Sequence, residues 1–258
     1  FIASFPFTPT KAQQDAIDTI LDDFEKPHPM MRLLEGDVGS GKTAVAAATA
    51  YAVAHARERG GSATHLQVAY MCPTEILAKQ HFSSFISFFK DHHIPIALIT
   101  GKECFKFPSK VRGEEATRIS RAQLSKWVAN GEIPVVIGTH ALIQKNVVFR
   151  NLAYATIDEQ HRFGKVQRHH LARKDGKEAH LLSMTATPIP RTLALTIYGD
   201  LDLTVLDEMP TGRKPVVTEV VSPDTREKAY ERIRKEVESG RQAYVICPRI
   251  DEPDPTKT

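Results

Sequence analysis

The sequence predicts an α/β protein with a doubly wound, mostly parallel sheet and helices on both faces of that sheet. Two observations lead to this fold class. Short apolar or β-branched runs alternate with longer helical stretches, which is typical of repeated βαβ units. Most of the short runs are continuously apolar, as expected for parallel strands that helices cover on both sides.

The elements follow from these runs in chain order. The predicted strands are Met31–Leu34, Leu66–Met71, Pro95–Ile99, Val135–Gly138, Ala153–Ile157 and Leu181–Met184. The predicted helices between them are Lys42–Arg59, Glu75–Asp91, Glu114–Ala129 and Arg191–Tyr198. The stretch Lys102–Gly113 is basic and contains aromatic residues without clear periodicity, so we interpret it as a surface excursion.

A change in composition after residue 207 predicts a domain boundary. Residues 208–215 contain two prolines and a glycine among charged residues, which is the composition of a linker. Residues 1–207 would form the first domain, and 216–258 would continue with a strand at Val216–Val221, a helix at Thr225–Ser239 and a strand at Gln242–Cys247. About forty residues of βαβ bury too little surface to be stable alone. They either pack onto the first domain or, as we favour, begin a second one.

Composition excludes several classes of protein. The 258 residues are 41% hydrophobic and 25% charged, which is ordinary for a globular chain and unlike a disordered, collagen-like or disulfide-stabilised one. The longest apolar stretch, Ala44–Ala54, is far shorter than the roughly 18 residues of a membrane span. Three widely separated cysteines indicate neither disulfides nor a zinc cluster. The net charge of +3 does not identify a nucleic-acid partner, and the basic stretch Arg162–Lys177 is either a phosphate contact or a solvated face.

A phosphate-binding loop follows the first predicted strand. Residues 36–43, GDVGSGKT, fit the pattern G-x-x-x-x-G-K-[ST], with a strand before the loop and an alanine-rich helix after it. The glycines allow backbone N–H groups to surround phosphate oxygens, and the helix N-terminus adds a partial positive charge. Lys42 would contact the β- and γ-phosphates, and the Thr43 hydroxyl would bind Mg²⁺. The candidate nucleotide-binding residues of the loop are Gly36, Gly39, Ser40, Gly41, Lys42 and Thr43.

Two carboxylates end the strand Ala153–Ile157. Asp158 is placed to hold magnesium through water, and Glu159 to orient and deprotonate the attacking water as general base. With Lys42, these residues are the candidate catalytic groups. The reaction they predict is hydrolysis of the β–γ bond of a nucleoside triphosphate, which the protein accelerates mainly by positioning groups and neutralising charge.

The absence of two motifs and the presence of one pattern before the phosphate-binding loop indicate which base the nucleotide carries. No Asn-Lys-x-Asp motif for guanine occurs, and no Leu-Ser-Gly-Gly-Gln of a transporter ATPase. Phe7, Thr10 and Gln13 form F-x-x-T-x-x-Q before the loop. A glutamine amide has a donor and an acceptor, so Gln13 can pair with the edge of adenine and select ATP. The pattern is equally compatible with a buried aromatic residue and a helix N-cap at Thr10.

Five motifs occur in a fixed order. They are GDVGSGKT at 36–43, PTEILA at 73–78, GTH at 138–140, DEQHRFG at 158–164 and MTATPIPRT at 184–192. With these motifs the sequence resembles superfamily 2 helicases, and more closely the bacterial RecG branched-DNA helicases. The transcription-repair coupling translocases are near cousins. The resemblance covers essentially the whole chain.

The resemblance implies a first RecA-like P-loop motor domain and the opening of a second, with ATP and Mg²⁺ as cofactors. It implies that His161, Thr185 and Thr187 couple the state of the γ-phosphate to the grip on DNA. It also implies that the DNA-facing edge is formed by Thr74, Gly101, Thr139 and His140. The partner would be branched double-stranded DNA, such as stalled forks and Holliday junctions. The whole protein would act as a monomer in the bacterial cytoplasm near the nucleoid, without contacting a membrane.

The resemblance also implies domains of the whole protein that are not among these 258 residues. Whole family members carry an N-terminal wedge domain and a complete second motor domain that supplies an arginine finger, and Arg249 is not at a matching position. We therefore expect a fragment that binds Mg-ATP but hydrolyses it poorly. Three alternatives remain: a transcription-repair coupling translocase, an RNA helicase, which DEQH in place of Asp-Glu-Ala-Asp disfavours by family likeness, and a nucleotide-gated binding module with little turnover.

Overall fold

The computed structural model describes residues 1–56, 65–109, 113, 115–159, 171–173, 178–187, 201–208 and 216–246. The strands are β1 (Met31–Gly36), β2 (Gln67–Met71), β3 (Ile96–Ile99), β4 (Cys104–Phe107), β5 (Thr117–Arg118), β6 (Val135–Gly138), β7 (Leu152–Ile157), β8 (His180–Thr185) and β9 (Asp202–Leu206). The helices are α1 (Lys11–Phe24), α2 (Lys42–His55), α3 (Glu75–Phe89), α4 (Arg121–Ala129) and α5 (Arg226–Glu238).

The strands form one sheet in the order β5-β4-β3-β6-β2-β7-β8-β1-β9. From β3 to β9 every neighbouring pair is parallel, whereas β4 is antiparallel to both β3 and β5. The predicted mostly parallel α/β sheet is therefore confirmed.

Two hydrophobic cores lie on opposite faces of this sheet. One core combines α1, α2 and α3 with alternate strand residues such as Leu34, Val68 and Ile137. The other combines α4 with the residues in between, such as Ala69 and Val136. Successive side chains of a strand point to opposite faces, so a strand that serves both cores is apolar throughout. The predicted double winding follows from this arrangement.

The edge of the sheet corrects two predictions. Lys102–Gly113 is not a surface excursion, because Cys104 and Phe107 are buried and β4 pairs with β3. The predicted helix Glu114–Ala129 begins only at Arg121, since the Ser120 side chain caps it there and β5 precedes it. β9 and this hairpin are further elements that the sequence patterns did not indicate, whereas α1 begins where the N-cap interpretation of Thr10 places a helix start.

The contacts within the chain divide it into two units, residues 1–212 and 213–258. In the second unit α5 matches the predicted helix. The strands predicted on either side of it are wrong, because residues 216–222 and 241–246 have no strand structure and Val220 and Ile246 are almost fully exposed. A strand needs a neighbouring edge for its backbone hydrogen bonds, and the described part of this unit supplies none.

Several predictions fall on residues outside the described ranges. They are the helix Arg191–Tyr198, the end of Lys42–Arg59, His161, Cys247 and most of the basic stretch Arg162–Lys177. Within the described ranges, no helix has the length and apolar character that crossing a bilayer requires.

Candidate active site

Parallel strands of the central sheet end together at one edge. Met71, the last residue of β2, is in register with Gly138 of β6 and Ile157 of β7, and Thr185 of β8 is in register with Glu35 of β1. Ligands of open α/β sheets bind at the carboxyl ends of the strands. Because β7, β8 and β1 are neighbours, the segments that follow them, including the phosphate-binding loop, lie side by side.

The phosphate-binding loop has the backbone that its glycines predict. Gly39 and Gly41 have φ of 80° and 90°, in the left-handed region that side chains disfavour. Gly41 is the N-cap of α2, and its carbonyl accepts from the Ala44 and Val45 amides. A Cβ on Gly36 would lie 2.5 Å from the Ser40 Oγ, so a side chain does not fit at Gly36 either.

Lys42 folds back onto its own loop. Its Nζ donates to the carbonyl oxygens of Gly36 and Asp37, at 2.5 and 2.9 Å. Burial lowers the pKa of this ammonium, and the negative charges of Asp158, Glu159 and Asp37 partly offset that effect. The lysine therefore lies in the field of both predicted catalytic carboxylates, and phosphate oxygens can replace the carbonyls it now contacts.

Asp158 and Glu159 leave β7 at its carboxyl end. Asp158 is 7% exposed, and its amide donates to the Met71 carbonyl at 2.9 Å. Its Oδ1 accepts from the Glu159 amide at 3.1 Å. Glu159 has φ of 51°, a left-handed conformation that non-glycine residues adopt mainly where the surrounding structure enforces it. This strain is located at the predicted general base.

The second oxygen of Asp158 contacts a residue that the sequence did not indicate. His81, on α3, places Nε2 at 2.8 Å from Asp158 Oδ2. Burial raises the pKa of the Tyr70 phenol and of the Cys72 thiol well above their usual values, and the Asp158 charge adds to that shift. One side of the Asp158 carboxylate therefore lies against buried residues that solvent does not reach. No motif links positions 81 and 158, so only the fold brings them together.

Two oxygen-bearing side chains at this edge of the sheet would suit magnesium. Thr43 supplies a hydroxyl at the start of α2 and Asp158 a carboxylate, and hard oxygen donors are what Mg²⁺ prefers. Among the described residues no group of three or more His, Cys, Asp and Glu side chains forms a metal cluster. A cation that binds mainly through nucleotide phosphates and one or two protein oxygens needs no such cluster.

Gln13 is buried, and both ends of its amide are engaged within the chain. Nε2 donates to the Ser40 carbonyl at 2.7 Å, and Oε1 accepts from the Thr10 amide at 3.1 Å. The Thr10 hydroxyl in turn accepts from the Gln13 amide, which completes a capping box at the start of α1. The capping interpretation is confirmed, whereas pairing with adenine stays a prediction. Phe7 is 38% exposed and lines an open cavity of about 620 Å³ with Phe5.

Thr185 and Thr187 lie at the end of β8. Their hydroxyl oxygens are 2.7 Å apart, and the Thr187 amide donates to the Thr185 hydroxyl at 3.2 Å. The predicted pair of exchangeable hydroxyls is therefore present beside β1. Their coupling role stays a prediction, and His161, its third member, lies outside the described ranges.

The four predicted DNA-facing residues follow β2, β3 and β6, which are neighbours in the sheet. Thr74, Gly101 and His140 are exposed. Thr139 differs: it is 2% exposed, and its hydroxyl accepts from the Ala141 amide at the start of a short 3-10 turn. A hydroxyl buried in this way does not face a phosphate in this conformation.

Comparisons with known proteins identify the family of this chain. The sequence model of the DEAD/DEAH box helicase family matches residues 10–196. Curated relatives named ATP-dependent DNA helicase RecG include those of Aquifex aeolicus, 46% identical over 97% of this chain and 29% of that protein, and of Bacillus subtilis, 46% identical over 98% and 34%. The chain thus spans about a third of the length of these relatives.

Solved structures of helicases are also similar to this chain. The structure of RecG bound to a three-way DNA junction matches with a TM-score of 0.77 and 42% identity, over 96% of this chain and 30% of that one. A DEAD box protein from Methanococcus jannaschii matches with a TM-score of 0.53 and 20% identity, over 88% and 57%, and shows the shared fold alone. The fold is that of the RecA-like P-loop domain of helicases. This chain belongs to the DEAD/DEAH box helicase family.

Proposed function

We propose that this chain is the ATP-binding motor region of a RecG-type helicase that couples Mg-ATP hydrolysis to movement on branched double-stranded DNA. The observation that carries the proposal is the arrangement of the sheet edge. Lys42, Asp158 and Glu159 lie after β1 and β7, and the candidate DNA-facing residues follow the three adjoining strands. The relatives named ATP-dependent DNA helicase, and the RecG structure with a three-way DNA junction, support the choice of substrate.

The chemistry assigns a role to each group. Lys42 exchanges its backbone carbonyl partners for phosphate oxygens, and its charge stabilises the transferred phosphoryl group. Glu159 orients the attacking water and accepts its proton. Thr43 and Asp158 would hold magnesium, which when bound neutralises charge on the β- and γ-phosphates. Gln13 and Phe7 would contact the adenine.

The coupling to DNA would pass through residues on the same edge. We assign it to His161, Thr185 and Thr187, with Thr74 and His140 contacting backbone phosphates. Gly101 would contact DNA through its backbone, which Arg121 supports by donating to the Gly101 carbonyl at 3.1 Å. We also propose that the whole protein is a monomer that works in the bacterial cytoplasm at the nucleoid.

The 258 residues by themselves should bind Mg-ATP and hydrolyse it slowly. In this proposal an arginine of the second motor domain stabilises charge in the transition state. Such a residue contributes about 10³- to 10⁵-fold in rate in related phosphoryl-transfer enzymes. The first domain alone supplies the other groups.

The test measures nucleotide binding and ATP hydrolysis with and without forked DNA. Binding of a fluorescent ATP analogue should be lost in Lys42→Ala and kept in Lys90→Ala, which removes an exposed lysine after the far end of α3. In the whole protein, Glu159→Gln should abolish fork unwinding while preserving ATP binding. Intact fork processing in Glu159→Gln would instead identify a nucleotide-gated binding module. Stimulation by single-stranded RNA rather than forked DNA would identify an RNA helicase.

A further inference from the structure

We propose that His81 is a positioning residue, which fixes the Asp158 carboxylate in the orientation that the magnesium of the bound nucleotide requires. The inference rests on the proposed function, because it concerns how the same nucleotide site is organised. It adds a residue from outside the phosphate-binding loop and the strand-end carboxylates.

The contact itself is well defined. The side chains of His81 and Asp158 are 12% and 11% exposed, and their Nε2 and Oδ2 atoms are 2.8 Å apart. An ionised carboxylate only accepts hydrogen bonds, so the imidazole nitrogen is the donor. Oδ1 already accepts from the Glu159 amide. With one donor on each oxygen, from two different elements, the carboxylate cannot rotate about its Cβ–Cγ bond without breaking a hydrogen bond.

The His81 ring lies 5.1 Å from the Tyr70 ring, but packing alone does not explain a polar residue at this place on the helix. The buried residues of α3 form a stripe of Ala78, Phe82, Phe85 and Phe89 that packs on the sheet. His81 lies three residues after Ala78 and four before Phe85, so it belongs to this apolar face. Its Nδ1 is buried without a hydrogen-bond partner among the described residues. Leaving a polar atom unpaired costs free energy, and an apolar side chain would fill this space without that cost.

The contact between His81 and Asp158 also connects two parts of the sheet edge, because of where α3 begins. The helix begins after Thr74, which follows β2, whereas Asp158 follows β7, the next strand of the sheet. His81 therefore connects the helix that starts in the proposed DNA-facing half of the edge to a carboxylate in the nucleotide half. Hydrogen-bond partners of metal-ligating carboxylates typically contribute about 10- to 100-fold to metal affinity.

The test compares nucleotide affinity with and without magnesium in this chain. The probe is a fluorescent, non-hydrolysable ATP analogue, titrated in Mg²⁺ and in EDTA. In His81→Leu the enhancement of affinity by Mg²⁺ should fall about tenfold, while affinity in EDTA stays unchanged. His81→Gln should retain most of the enhancement, because its longer side chain can bring an amide N–H to the position of Nε2.

Two further variants make the test specific. His81→Asn is also an amide but is too short to reach Asp158, so it should behave like His81→Leu even if the leucine variant fails to fold. Gln80→Leu changes the exposed neighbour on α3 and should match the parent chain. Circular dichroism and thermal melts establish that each variant is folded.

The outcomes separate the inference from the proposed function. An unchanged Mg²⁺ enhancement in folded His81→Leu or His81→Asn overturns the role of His81. An equal loss in folded His81→Gln overturns it as well, because the donor would then be irrelevant. If the parent chain binds no nucleotide, or binds it independently of Lys42, the proposed function itself fails.

Discussion

At the scale of single residues, Gly41 is a position where the loop tolerates little change. Its φ is 90°, and a Cβ there would lie 2.2 Å from Nε2 of Gln13, which donates to the Ser40 carbonyl. Gly41→Ala should therefore weaken binding of a fluorescent ATP analogue at least tenfold. The backbone strain alone costs about 1–2 kcal/mol, and the contact displaces Gln13.

A control glycine outside the loop and a double variant test this explanation. Gly240, after α5, has φ of 84°, and a Cβ at this position would meet nothing within 4 Å, so Gly240→Ala imposes strain without a clash. Gly240→Ala should leave nucleotide binding unchanged. The double variant Gly41→Ala/Gln13→Ala should bind no worse than Gly41→Ala, because it no longer has the Gln13 side-chain amide that a Cβ at position 41 would displace. Parent-level affinity in Gly41→Ala would contradict the proposed geometry of the loop.

His180 is a residue that makes stability depend on pH. Its Nδ1 accepts from the Met30 amide at 3.0 Å, so the folded protein holds the ring neutral. Burial lowers its pKa below the usual 6.5, and the nearby charge of Asp23 offsets this only in part. The unfolded chain therefore binds the proton at higher pH than the folded one, and this contribution to stability is lost as pH falls below about 6.5.

Urea unfolding between pH 7.5 and 5.5 measures this effect. The free energy of unfolding should decrease towards pH 5.5 in the parent chain. His180→Asn, whose amide oxygen can accept from the Met30 amide without titrating, should show a smaller decrease. Identical pH dependence in the two proteins would show that His180 is not responsible.

At the scale of elements, a buried ion pair attaches α1 to the sheet. Arg32 on β1 donates through Nε to Oδ2 of Asp23 at 2.7 Å, and its Nη1 donates to the Thr204 hydroxyl of β9 at 2.8 Å. Burial raises the pKa of Asp23, but hydrogen bonds from Lys26 and Arg32 outweigh this and lower the pKa overall. The pair thus links the helix that carries Gln13 to two strands.

Removing one member of this pair should destabilise the fold strongly. Asp23→Leu leaves the Arg32 charge buried with the exposed Asp202 carboxylate, 3.9 Å away, as its remaining ion-pair partner, and should lower the free energy of unfolding in urea by about 3 kcal/mol. Asp23→Leu/Arg32→Met removes both charges and should recover much of that loss. Asp22→Leu, at an exposed neighbouring position, is the control and should change stability little. A double variant no more stable than Asp23→Leu would contradict this interpretation.

The elements also show what the sequence can and cannot predict. The runs that became β1, β2, β3, β6, β7 and β8 were predictable because burial on both faces makes most of their residues apolar. The hairpin β4–β5 and strand β9 were missed, because their partly exposed residues show no such run. The loop at 36–43 and Asp158 were predicted as site residues from local motifs. His81 was not, since 77 residues separate it from Asp158.

At the scale of the whole molecule, the two units differ in how much of their apolar surface is covered. Residues 1–212 contain both cores of the sheet, whereas Val216, Val220 and Ile246 of the second unit are largely exposed. A polypeptide of residues 1–212 should therefore unfold cooperatively and keep Lys42-dependent nucleotide binding. Residues 213–258 alone should show no cooperative melt by circular dichroism. Loss of folding in the 1–212 polypeptide would mean that the second unit supports the first.

The order of strands along the sheet has a consequence for protein engineering. Strands β3, β6 and β2 precede the candidate DNA-facing residues, and β7, β8 and β1 precede the nucleotide residues. In the sheet these two groups of strands are neighbours where β2 pairs with β7. The register of that pair shifts between Gln67 and Val68. A graft that exchanges residues 67–143 with those of a relative would replace the DNA-facing group as a block. This block includes His81, whereas Asp158 lies outside it. We therefore expect the exchange to keep the hydrogen bond to Asp158 only when the relative also has a donor at the position of His81.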